Sequence, residues 1–143
     1  MITNEVQYRA TRAHLAKFEE AALNLVARQD RSKLTQLEID AVRAQADDLR
    51  TEIEEYELLR SGGVSSFAAN SLEDLAVLLV KARIARGWTQ RQLADALGIA
   101  EQQVQRYEST GYRAASLARI CDVAAALGVT VTEMAVLGSP DAA

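Results

Sequence analysis

Nineteen residues, Gln90 to Glu108, constrain this chain more than any other stretch. Leu93, Leu97, Ile99, Val104 and Tyr107 recur at spacings that bring them to one side of two short helices. Ala94 supplies a small residue where those helices must approach closely, and Gly98 stands at the sharp turn between them, where a left-handed backbone costs it nothing. Every other position in the stretch is polar except Ala96 and Ala100. Thr89 and Gln92 form a capping box that starts the first helix over Gln90–Leu97. The second is expected from about Ala100 to Ser109. All of these features in register specify two short helices crossing over a tight turn, with one polar face left outside.

The flanking sequence extends the same architecture. Ser71 caps a helix expected to reach Arg86 and end at Gly87, and another is expected from Ser116 to Leu127 with Gly128 as its stop. A short fifth helix of the domain is expected from Thr132. The one proline, Pro140, lies near the chain end, and β-branched residues are scattered, so the whole chain is expected to be all-α.

Upstream, Ser61-Gly62-Gly63-Val64-Ser65-Ser66 reads as a linker, extended here over 61–70, with Phe67 expected to dock on one of the flanking domains. Residues 1–60 carry two heptad-like runs: Tyr8, Thr11, Leu15, Phe18, Ala22 and Leu25, then Ile39, Val42, Ala46, Leu49, Ile53 and Tyr56. Asn4 with Gln7 offers a capping box at the start, and Gln29 to Ser32 fit a short turn. An antiparallel helical hairpin is expected. Its stripe is narrow for such long helices, so a second copy is expected to cover it, with Leu15, Phe18, Leu25, Val42, Leu49, Ile53 and Tyr56 at the dimer contact. The alternative is that the hairpin packs on the second domain, 71–137. Residues 138–143 are expected to fray.

Charge is divided between the segments. The chain carries −4 overall. Residues 1–63 hold nine basic and twelve acidic side chains, a net −3, whereas residues 81–119 hold seven basic and three acidic ones, a net +4. The basic half suits a polyanion, and the acidic hairpin should point away from it. Other chemistry finds no footing. His14 has no ligand-spaced partners, no nucleophile elbow, phosphate loop or paired-carboxylate site is present, and no cofactor or metal is expected, so an enzyme is not indicated. Cys121, the one cysteine, is expected to pack in the core beside Ile120 and Ala124, and it favours a cytoplasmic protein without disulfides. No apolar run is long enough to span a bilayer.

The run Trp88-Thr89-Gln90-Arg91-Gln92-Leu93-Ala94-Asp95-Ala96-Leu97-Gly98-Ile99, followed by Val104-Gln105-Arg106-Tyr107-Glu108, resembles the Cro/C1-type, or Xre, helix-turn-helix family. The resemblance covers roughly Leu72 to Val136. It implies a five-helix domain, double-stranded DNA as partner, and dimeric repression of transcription. The order of hairpin then domain also resembles, less specifically, HigA-type antitoxins, which would add a toxin protein as partner. Three departures stand out. Ala100 replaces the usual Ser or Thr cap, Glu101 puts a negative charge where DNA is expected, and the loop Ser109 to Ala115 lacks proline.

The second helix of such a motif enters the major groove, which makes Glu101, Gln102, Gln103, Gln105 and Arg106 the candidate base contacts. Glutamine pairs with adenine and arginine with guanine; Glu101 either reads a cytosine amino group or weakens binding. The resemblance assigns Gln90 to a phosphate, and Thr89, Arg91 and Arg113 join it, with Arg83 and Arg86 as weaker candidates. Three functions compete: a homodimeric autorepressor on a palindrome, an antitoxin that also represses its operon, and an adaptor that has lost DNA binding.

Overall fold

The computed structural model describes residues 1–138, and among these it contains six helices and no strands. Helices α1 (Glu5–Ala27) and α2 (Lys33–Arg60) form the hairpin, and α3 (Leu72–Ala85), α4 (Gln90–Leu97), α5 (Glu101–Ser109) and α6 (Leu117–Leu127) form the C-terminal domain.

The hairpin is built from its ends inward. Asn4 caps α1 by accepting from the Gln7 amide at 2.9 Å. The reciprocal half of the expected capping box does not form, because the Gln7 side chain turns to the Thr3 amide and hydroxyl instead. At the turn, the Asp30 carboxylate accepts from the Ser32 amide and from the hydroxyls of Ser32 and Thr35, which fixes the start of α2. Both heptad runs face each other. Leu15, Phe18, Leu25, Val42 and Leu49 are half-buried, and Ile39, Ala46, Ile53 and Tyr56 are buried. In an antiparallel hairpin each helix's seam covers the other's, so the seven residues expected at a dimer contact pack within one chain, with Ile53 and Tyr56 buried and the other five half-buried.

The base of the hairpin continues into the second domain. Ile2, Tyr8, Ile53, Tyr56 and Leu59 share one core with Leu79, Val80, Ile84, Leu93, Val104, Val123 and Leu127. Tyr8 and Tyr56 lie 5.2 Å apart between ring centroids, and the Arg60 guanidinium sits 5.6 Å from each ring. Lys81 reaches Glu55 across the joint at 2.6 Å. Residues 61–71 form no helix, and Val64 and Phe67 rest half-buried against the core as the lone aromatic of the linker was expected to.

Within the C-terminal domain, α4 packs on α5 and α6, and α3 packs on α6 and on α2. Ser71, Thr89 and Ser116 each cap a helix through a side-chain oxygen. The expected fifth helix does not form: residues 129–138 carry no regular structure. The β-branched run Val129-Thr130-Val131-Thr132 disfavours a helical start, and Met134, Val136 and Leu137 remain exposed. This strand of chain, the linker and α3 border an open cleft of about 1040 Å³. Of the expected frayed tail, only Gly138 lies within the described residues. Cys121 is exposed rather than buried, because Ile120, Val123 and Leu127 take the inward face of α6 and leave Cys121 about 100° away.

Candidate nucleic-acid interface

Helices α4 and α5 meet at the turn expected from sequence. Gly98 adopts φ +67°, and its amide donates to the end of α4. The Ile99 amide donates to the Ala94 carbonyl at 3.0 Å, which closes the turn. Leu93, Ala94 and Val104 are completely enclosed, and Leu97, Ile99 and Tyr107 pack half-buried around them. Helix α5 thus has a fixed inner face, and its outer face is set by default.

That inner face includes a charged residue. Glu108 lies four residues after Val104, on the same side, and is 4% exposed. It accepts both ends of the Arg83 guanidinium, from Nε at 2.5 Å and from Nη2 at 2.7 Å, and also the Gln90 amide at 2.7 Å. Arg83 further donates to the carbonyls of Trp88 and Thr3 at 2.7 and 2.6 Å. This buried network ties α3, the start of α4, the end of α5 and the N-terminal arm to one another. A bidentate pair with its remaining donors satisfied is the geometry in which a buried ion pair survives desolvation.

Two expected phosphate contacts are corrected by this network. Arg83 is 2% exposed and fully engaged, so it offers nothing to a duplex. Gln90 is 6% exposed, with its amide nitrogen on Glu108 and its oxygen accepting from Asn4 Nδ2 at 3.3 Å. Its side chain holds the motif together from inside. The other expected contacts lie outside: Thr89, Arg91 and Arg113 are exposed, as is Arg86, which donates to the Gly128 carbonyl.

On α5, Gln102, Gln103, Gln105 and Arg106 are exposed and Glu101 is partly so. Gln103 donates to the Tyr107 hydroxyl at 2.8 Å and Gln105 to Glu101 at 3.3 Å, one turn away in each case. Ala100 makes no side-chain cap, as expected. The proline-free loop after α5 is closed by Tyr112, which takes φ +60°, stacks on Tyr107 at 5.9 Å and is buried with no partner for its hydroxyl among the described residues. Burial pushes the Tyr112 phenol well above its ordinary pKa.

Sequence reasoning missed the internal network and Tyr112. For Glu108 a signal existed, since its spacing from Val104 places it on the inward face. For Thr3 and Asn4 there was none, because their partners lie 80 and 86 residues away in sequence.

The comparisons with known proteins agree with this geometry. Residues 79–134 match the family model described as Helix-turn-helix. No curated protein and no solved structure matches the chain. The matched segment spans the second half of α3, all of α4, α5 and α6, and Arg83, Gln90 and Glu108 of the buried network. Residues 79–134 therefore form a helix-turn-helix domain of the Cro/C1 type, the Xre family of DNA-binding regulators.

Proposed function

We propose that the chain is a homodimeric transcription repressor that binds a palindromic operator beside its own gene. The observation that carries this reading is the outer edge of α5. Four uncommitted or weakly committed polar side chains, Gln102, Gln103, Gln105 and Arg106, project from a helix whose opposite face is locked into the core. Gln102 leads the base contacts, because Gln103 and Gln105 must first exchange their surface bonds to Tyr107 and Glu101. Each well-formed bidentate base contact discriminates by about 1–3 kcal/mol. Arg91, Arg113 and Thr89 hold phosphates and set the register. The basic balance of residues 81–119 supplies long-range attraction, and the acidic hairpin stays off the duplex.

The test is capture of sheared DNA from the source cells on the tagged full-length protein, followed by sequencing, at about physiological salt. Enrichment of one palindrome next to the protein's own gene is the expected result. Gln102→Ala with Gln103→Ala should then equalise binding to operator and random DNA, whereas Arg91→Ala should weaken both alike and reduce the salt slope by about 1. Equal losses on both DNAs from the glutamine pair would sink the recognition-helix assignment. A protein retained in stoichiometric amount with no enriched DNA would favour the antitoxin reading instead.

A further inference from the structure

The seam between α1 and α2 uses only one side of α2. On the other side a second stripe runs at spacings of three and four: Leu34, Leu37, Ala41 and Ala44. Leu34 and Leu37 are 68% and 65% exposed, and both alanines are exposed as well. Among the described residues nothing else lies against this face, which belongs to the half of the hairpin farthest from the DNA-binding domain. With Leu34 and Ala41 as the a positions of a heptad and Leu37 and Ala44 as the d positions, the inward residues Thr35, Ile39, Val42 and Ala46 fall at b and f. The two stripes are therefore separate surfaces of one helix.

The flanks of the second stripe carry the information about its occupant. Lys33 and Asp40 fall at g positions, and Glu38 and Gln45 at e positions, all four exposed. In a parallel pair of helices each g residue meets the e residue five positions later on the partner helix. Lys33 then meets Glu38 of a second copy, and Asp40 meets Gln45, on both sides of the axis. An antiparallel pair would bring Lys33 to Asp47 but set Glu38 against Glu38 and Asp40 against Asp40, so its attractions are offset by like charges, whereas the parallel pair has none along this stripe. The stripe ends at Asp48, the next a position, where like charges across the axis would spread the helices apart.

We propose that the outward face Leu34–Ala44 of α2 is a parallel, two-fold dimer contact with a second copy of this chain. The proposal rests on the homodimer reading above and deepens it by naming the surface. Parallel pairing puts both helix-turn-helix domains at the same end, as two half-sites on one duplex face require. The roughly 18 Å of α2 beyond Asp48 leaves room for the domains to splay toward a separation of about one DNA turn, ~34 Å. An antiparallel pair would send them to opposite ends. So short a seam makes a weak dimer in solution, one that a duplex carrying two half-sites strengthens by raising the effective concentration.

The test is sedimentation equilibrium of the full-length protein over a wide concentration range. The wild type is expected to associate to a dimer. Leu34→Glu with Leu37→Glu should weaken the dimer at least a hundredfold, with unchanged helix content and, at concentrations where the wild type is monomeric, an unchanged thermal midpoint, since both side chains are exposed within the single chain. Lys33→Glu should weaken it about tenfold at low salt, and Lys33→Glu with Glu38→Lys should restore it to within threefold. Persistence of the dimer in the leucine double variant would overturn this surface and leave the homodimer reading standing. Failure of the charge exchange to restore binding would overturn the parallel register. A wild type that is monomeric both in solution and on a palindromic duplex would overturn both readings together.

Discussion

Arg83 and Glu108 face each other with almost no solvent contact, and the two are embedded among donors and acceptors that complete their shells. Removing one partner strands the other as a buried charge, so Glu108→Ala is expected to cost about 3–5 kcal/mol, a large share of the stability of a small domain. Replacing both by apolar residues of similar size, Arg83→Met with Glu108→Leu, should cost much less than the single change. Urea unfolding of the three proteins measures the difference, and a double variant no better than Glu108→Ala would show that the pair's partners matter more than the pair. Gln90 belongs to the same network, and its place there is a matter of distance. The amide that could reach a phosphate is held by Glu108 and Asn4 before any duplex arrives.

Among the helices, α5 is the one with an incomplete start. Ala100 has the extended backbone of a capping residue, φ −71° and ψ 143°, but no oxygen to offer the first free amides. Ala100→Ser is expected to stabilise the protein by about 0.5–2 kcal/mol, the reverse of an ordinary cap deletion, seen as a higher thermal midpoint. The start of α2 shows the opposite situation. Hydrogen bonds from the Thr35 hydroxyl, then from the Ser32 amide and hydroxyl, hold the Asp30 carboxyl below its ordinary value of 3.8. A depressed pKa in the folded state means that the charged form is favoured there. Its contribution is fully present above pH 3.8 and is lost as the pH falls through the lower folded value. Protection factors of the amides at the turn of the hairpin should therefore fall on acidification below about pH 4, and Asp30→Asn should remove that pH dependence. Protection that stays constant over this range would contradict the turn geometry.

At the scale of the molecule, hairpin and DNA-binding domain share one core. Ile53, Tyr56 and Leu59 cover α3, and the Thr3 carbonyl completes the Arg83 shell. A fragment of residues 61–143 should fold less stably than the full chain. Exposing even one large apolar side chain and one buried donor costs a few kcal/mol, which lowers the thermal midpoint of so small a domain by roughly 10 °C or more. A fragment that melts with the full chain would show that the hairpin is only tethered.

What the sequence by itself determined is the part written in short-range spacing. The all-helical class, the hairpin, the capping residues Asn4, Ser71, Thr89 and Ser116, the turn at Gly98 and the inner face of α4 and α5 all depend on residues within a few positions of one another. Local periodicity and capping chemistry report such features directly. Tertiary structure decided whatever depends on which surface meets which. It placed the heptad seams against each other within one chain, drew Gln90 and Arg83 inside, left Cys121 outside, and left residues 129–138 without a helix. Periodicity marks an apolar stripe without naming what will cover it, and a buried polar group is paid for by partners that the chain brings from far away in sequence.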